Sequence, residues 1–453
     1  MKKIALIVFL CMLFWSVGSA QWYGYYPTGD TNELDGGIGI TWIDNQAYYQ
    51  ISFQPDISIG KFGIGLGLNL LYNVNTGKIR SQDWDTKADY ARIIRYLRYG
   101  YKGDSFYARV GAINAGTLGH GLIMNYYNNQ INYDMRKLGM AFDLDLGVFG
   151  FETFTNNLGR FEVVGGRAFV RPLYKSNMFM IKNLAFGGTY VTDLDPDSWK
   201  ASDDKISEWG VDVELPIIKT KYFNLITYFD HAQINNFGSG QSYGFKAEVN
   251  KMESIFDFEF VFERRNLGKQ FISNYFGPFY EILRNTTLGE LIEYYESLGG
   301  DVSSIPEEYK DAIYEIPVTK QMLLPMMSEK RKGWFGGLRV NFLRLVTAVG
   351  TYQKIDGQDD SGLMHMGAAL SRSIPFISLE ATYDKWGVNS VKDAMTLDYR
   401  SVARFGVGYK IKPYLLLYMD YIWNFKLNNE TGRYEPQERF QPRLAFRYNF
   451  GGF

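Results

Sequence analysis

The chain of 453 residues is short of the residues from which most catalytic and metal centres are built, with 1 cysteine and 3 histidines. Cys11 lies inside the apolar run "IALIVFLCMLFWSV", so the rest of the chain forms neither a disulfide nor a cysteine-ligated metal site. His120, His231 and His365 share no metal-ligand or triad-like spacing, and no Gly-x-Ser-x-Gly elbow is present. An excess of one charge is lacking too. The 48 Lys and Arg against 49 Asp and Glu give a net charge of −1, too balanced for a nucleic-acid surface. Downstream of residue 20 no apolar stretch is long enough for a transmembrane helix, and no Pro/Ser-rich linker or sustained charge run divides the chain. Residues 21–453 therefore read as one unit.

Aromatic residues and glycine are abundant. Aromatics make up 17% of the chain, with 34 Tyr and 47 Gly, a mixture that fits an all-β protein with many turns. The first 20 residues, with Lys2 and Lys3, an apolar run and then Gly18-Ser19-Ala20, read as a cleavable secretory signal peptide. Cys11 sits within that run rather than at its end, which argues against lipidation.

The dominant signal is alternation. In "GKFGIGLGLNLLYN" Ile64, Leu66, Leu68 and Leu70 share one face, with Gly63, Gly65, Gly67 and Asn69 on the other, the period of a β-strand. "LGMAFDLDLGVF", "WGVDVELPI" and "FDFEFVFERR" repeat the pattern, as do two segments near the C-terminus. Tight connections such as Gly60-Lys61 and Lys412-Pro413 alternate with longer polar ones such as Asn75 to Asp89 and Ala115 to Met135. Short turns on one side and long loops on the other mark a transmembrane barrel, and following them end to end predicts about 20 strands, within about two either way. Phe62 to Tyr72 has the length a tilted strand needs to cross a bilayer, and aromatics near the strand ends suit the interfacial girdles.

One segment breaks the pattern. Between Pro278 and Lys332, "TLGELIEYYESLGG" has Thr287 as N-cap, Glu290 three residues on, helical apolar spacing and Gly299-Gly300 as a stop. "SIPEEYKDAIYEI" predicts a second short helix. This outer loop, 278–332, is long enough to fold over or into the mouth of a barrel.

Near the C-terminus Leu444, Phe446, Tyr448, Phe450 and Phe453 form an alternating strand with a terminal aromatic, although Gly451-Gly452 displaces the last residue by one. On these features the chain resembles the bacterial outer-membrane β-barrels, porin-like in size. The resemblance implies an all-β, antiparallel up-and-down transmembrane barrel exported to the outer membrane. It also implies contact with outer-membrane lipids and lipopolysaccharide, and Tyr448, Phe450 and Phe453 as the signal read by the barrel assembly machinery. Small polar solutes are the expected cargo, and porins of this kind can form oligomers.

Charges in phase with the lumen face are the pore-lining candidates: Arg109, Asp143, Asp145, Arg167, Arg171, Asp212, Glu214, Asp257, Glu259, Arg339, Arg443 and Arg447. Hydrated wall charges of both signs create a field favouring polar solutes, or brace the barrel in pairs. Gly63, Gly65 and Gly67 leave a smooth wall against which the long loop can rest, or else relieve crowding. His120, in "GTLGHGLIMNYYNN", is either a general base of an outer-membrane hydrolase or, the favoured reading, a loop histidine packed among tyrosines and glycines. No cofactor, metal or catalytic site is expected. The function expected is passive or selective diffusion of small polar solutes. The alternative is a non-conducting surface or assembly component that binds a protein, glycan or lipopolysaccharide.

Overall fold

The computed structural model describes residues 32–197, 204–220, 222–252, 256–300, 317–343, 345–371, 373–428 and 433–449. The alternating segments form one antiparallel sheet of 20 strands, as their count predicts. The first strand, Glu33–Ile43, pairs with its hairpin partner Gln46–Ile59 and with the last strand, Arg433–Asn449. The sheet thus closes on itself and leaves no edge.

Phe62–Leu66 and Leu68–Asn73 are two halves of one strand, since both face Gln46–Ile59 in a single register, Gly65 opposite Asp56 and Leu68 opposite Phe53. The interruption at Gly67 comes from the other neighbour, Ile94–Tyr99, whose register slips between Gly65 and Leu66.

The side chains are distributed inside out. Ile38, Phe53 and Ile59 are 62%, 50% and 57% exposed on the outer face, while Glu259 and Glu263 on Phe256–Leu267 are buried within. An apolar exterior around a charged interior is what a lipid-facing barrel requires. Connections at one end are short, as at 60–61, 146–148 and 413–414, and at the other end long, as at 74–93, 112–138 and 268–330. Asp44 and Asn45, an exception at the long-loop end along with the four-residue connection 235–238, have φ of 48° and 67°, the primed turn that matches the twist of two adjoining strands. Among the described residues no helix is long and apolar enough to cross a membrane.

The loop helix forms as its sequence predicts. It spans Leu288–Ser297, and the capping box between Thr287 and Glu290 closes its first turn. Gly299, at φ 79°, ends it. A two-stranded ribbon, Asn285–Thr287 with Pro317–Thr319, ties the base of the loop. The signal peptide, the second helix, Phe450 and Phe453 lie outside the described residues. Tyr448 is on the last strand and exposed.

Candidate functional site

Two long loops turn inward and fill the outer half of the bore. The first leaves the wall at Gly111, whose φ of 143° and close packing on the Arg95 carbonyl leave no room for a side chain. Before the chain rejoins the sheet at Gly139 it touches well-separated parts of the wall. His120 stacks on Tyr228 with ring centroids 3.9 Å apart, Tyr126 stacks on His365 at 4.0 Å, and the Arg439 guanidinium lies 3.6 Å over the Tyr133 ring. Asn132 forms a single parallel bridge to Phe425, where Tyr133 N donates to Phe425 O and Phe425 N to Ile131 O.

The second loop, between Leu267 and Arg331, docks on the first. Asn274 N donates to Leu122 O at 2.7 Å, Asn125 N to Asn274 Oδ1 at 2.8 Å, and Met124 bridges to Phe276. Met124, Tyr127, Phe271, Phe276, Leu291 and Leu323 form an apolar core that also packs on wall residues Phe154, Val191, Ile234, Leu267, Ile355, Trp386 and Phe425. A plug with its own hydrophobic core therefore sits inside the barrel, and burial of this apolar surface is the main force that seats it.

Charged groups fix the plug's orientation. Glu281 accepts from Lys137 Nζ at 2.6 Å, from Asn156 Nδ2 at 2.7 Å and from the Tyr127 hydroxyl. Arg284 reaches Glu162 and Asp193, both at 2.9 Å, and Glu162 also pairs with Lys137. Burial pushes the Glu281 carboxyl up, but Lys137 and Arg284 outweigh it and hold it at about 2. His120 donates from Nδ1 to Asp230 at 2.8 Å and from Nε2 to Glu214 at 3.3 Å. Burial would lower its pKa, yet the two carboxylates raise it to about 10. It is a clamped imidazolium among packed rings. Lys320 lies within 4.6, 5.5 and 5.2 Å of the Tyr275, Tyr280 and Tyr294 rings and donates to Tyr275 O at 2.6 Å. Burial lowers its ammonium to about 7, against the opposing pull of Glu208.

The pore-lining candidates are joined in pairs along the wall. Arg167 grips Asp212 through two hydrogen bonds of 2.9 and 2.7 Å, Arg171 does the same to Asp145, and Asp143 meets Lys102 at 2.7 Å. Glu214 faces His120, Glu259 lies between Arg339 at 3.1 Å and Lys246 at 2.9 Å, and Asp257 stands opposite Asn341. Arg109 lies 4.8 Å over the Tyr96 ring, Arg443 meets Asp420 at 2.6 Å, and Arg447 reaches Glu33 and Asp35.

Gly63, Gly65 and Gly67 make room for their neighbours rather than for the long loop. A Cβ at Gly65 would lie 2.5 Å from the Tyr96 ring, and at Gly63 and Gly67 it would first meet Arg98 and Arg95. Asp56 and Tyr96 flank Gly65 on either side, and the Tyr96 hydroxyl donates to Asp56 Oδ1 at 2.5 Å across it. The same staple recurs where Tyr228 donates to Glu263 at 2.8 Å over Gly244.

Beside the plug, against the first and last strands, a polar chamber of about 220 Å³ remains. It extends from Glu33 and Asp35 at the short-turn end to Trp84 and Tyr133 on the loops, and its lining carries seven acidic and seven basic side chains. Reasoning from sequence missed this chamber and the inward course of 112–138. The signal for the latter was present: Leu118, Leu122, Ile123, Met124, Tyr126, Tyr127 and Ile131 are too apolar for a solvated loop.

Closure of the strands, their apolar exterior and the plugged polar bore are now established together. The fold is that of an outer-membrane β-barrel. No protein-family model matches the chain, and no curated protein does. Among solved structures the chain is similar to CdiB from Acinetobacter baumannii, at 7% identity over 92% of this chain and 60% of that one, with a TM-score of 0.27. OprD of Pseudomonas aeruginosa matches at 9% identity over 93% and 96%, with a TM-score of 0.31. Wzi of Escherichia coli, a carbohydrate-binding barrel involved in group 1 capsule assembly, matches at 10% over 93% and 85%, with a TM-score of 0.32. Likeness this distant carries no residue-by-residue correspondence.

Proposed function

We propose that the protein is an outer-membrane channel for small polar solutes, whose path follows the polar chamber and whose outer mouth is closed by its own inward-folded loops. The chamber carries this reading: a continuous apolar core would fill the bore completely, whereas a lining of seven acidic and seven basic groups suits hydrated, uncharged or zwitterionic solutes. Because the opposed charges balance, ion selectivity should be weak. The plug is held by apolar packing, ion pairs and hydrogen bonds rather than by the wall's own ladder, so it can move while the barrel stays closed.

Single-channel recording of the purified protein in a planar bilayer tests the proposal. Brief or small openings are expected from the intact chain, and deletion of Thr287 to Ile316 should raise conductance. Electrical silence before and after the deletion would refute a pore and favour a non-conducting component that binds a protein, glycan or lipopolysaccharide.

A further inference from the structure

The ladder between the first and last strands has a gap. It runs from Glu33 opposite Asn449 to Gly39 opposite Arg443 and resumes at Trp42 opposite Phe440, so the two intervening pairs are missing with no change of register. Pro442, which falls opposite Ile40, brings no N–H to the ladder. Gly39 adds no side chain to the lumen side, and a methyl there would run into the Pro442 carbonyl and Arg443.

The wall's two faces differ sharply here. Outside, Ile40, Trp42, Leu417, Met419, Pro442 and Leu444 border an apolar groove of about 410 Å³. Inside, Gln441, Arg443 and Arg447 line the polar chamber, while Tyr418 and Arg443 border both spaces. Gln441 is 4% exposed, and its Nε2, together with Arg443 Nε and Arg447 Nη1, has no hydrogen-bond partner among the described residues. Buried donors of this kind call for an acceptor.

We infer that the seam is a binding site for a lipid of the surrounding bilayer, its acyl chain in the outer groove and its phosphate-bearing head reaching through the gap to Gln441, Arg443 and Arg447. The groove presents almost no polar surface to a head group, whereas the chamber beside Gln441, Arg443 and Arg447 is lined mainly by polar and charged side chains, so a ligand that uses both is amphiphilic. Three donors, two of them on guanidiniums, match the acceptor-rich phosphate. Passage of the head at this point breaks fewer backbone hydrogen bonds than elsewhere on the seam, because two pairs are already absent. The site does not depend on solute diffusion, and an electrically silent protein would leave it standing.

The test is photolabelling of the full-length protein in vesicles of phosphatidylethanolamine and phosphatidylglycerol, with a photoreactive acyl chain on the phosphatidylglycerol and adducts mapped by mass spectrometry. Leu417 and Met419 should be labelled about tenfold more than Ile51 and Phe53, which are equally outward on a neighbouring strand, the factor expected from one retained charge-assisted hydrogen bond. Arg443→Ala should bring that label down to the Ile51 level. So should a disulfide across the seam in the double variant Ile38→Cys, Leu444→Cys, with recovery on reduction; this variant decides the matter if Arg443→Ala does not fold. Uniform labelling that neither variant changes is ordinary lipid contact and overturns the site. Equal enrichment with photoreactive diacylglycerol, which lacks the phosphate, overturns the assignment of the head.

Discussion

Glu281 joins the plug's two loops, through Lys137 and the Tyr127 hydroxyl, and ties them to Asn156 at the end of a wall strand, which makes Glu281→Gln the most informative single change. The amide keeps the shape of the side chain but not its charge, leaving Lys137 and Arg284 to share Glu162 and Asp193. Removing one member of a buried ion pair costs about 3–5 kcal/mol, which displaces the plug's seating equilibrium by about two to four orders of magnitude. The wall is untouched, since its ladder includes none of these side chains. Hydrogen exchange of the Leu288–Ser297 amides should therefore accelerate by about a hundredfold while wall amides keep their protection, and long openings should appear in single-channel records. Acid should reproduce the variant in the native protein. Glu281 titrates at about 2 in the folded state against an ordinary 4.5, so its contribution is complete above pH 4.5 and is lost as pH falls through 2. Unchanged exchange and conductance in Glu281→Gln, with the barrel intact, would refute the idea that these pairs seat the plug.

Three further outcomes are expected. Lys320 titrates at about 7 against an ordinary 10.5, so the cost of burying its charge is absent above pH 10.5, grows as pH falls and is complete below 7. Lys320→Met should slow plug exchange at pH 6 and flatten its pH dependence; faster exchange would show that the ammonium stabilises its aromatic surroundings. His120 titrates at about 10, so its ion pairs contribute fully below pH 6.5 and are lost as pH rises through 10. His120→Gln should lower the melting temperature at pH 6, with the difference from the native protein shrinking toward pH 10, and a loss of lipid-ester hydrolysis in this variant would revive a catalytic role. Gly65→Trp should destabilise the wall by about 1–3 kcal/mol through collision with Tyr96, read as a lower temperature of heat modification on gels. Exchange in the plug should not change, and a large change there would restore a loop contact at Gly65.

The strands were legible because each needs only its own residues: alternation fixes the two faces, and the change from short to long connections fixes which end is which. The helix at Leu288–Ser297 was legible for the same reason, since its capping box is local. The partners of the lumen charges were not. Arg167 meets Asp212 over an intervening strand that places Gly187 opposite Asp212 and Thr189 opposite Arg167, and that geometry depends on register across three strands. Gly63, Gly65 and Gly67 pointed to open wall, yet the space belongs to Arg98, Tyr96 and Arg95 of the strand paired beside them. The inward course of 112–138 was masked by its asparagines and glycines, which read as a solvated loop until its apolar residues are seen packed against a second loop far away in the chain.

The glycine staples alter how the wall carries load. In a simple ladder each strand is fastened only to its immediate neighbours, so a tear between two of them can run along a single line of hydrogen bonds. Where Tyr96 reaches Asp56 over Gly65, and Tyr228 reaches Glu263 over Gly244, strands two apart are fastened as well. The sheet then behaves as overlapping plies, and separating one strand means breaking joints on strands it does not touch. Such a joint cannot close until the third strand has arrived, so insertion of strands in groups of three, rather than hairpin by hairpin, is the order this wall favours.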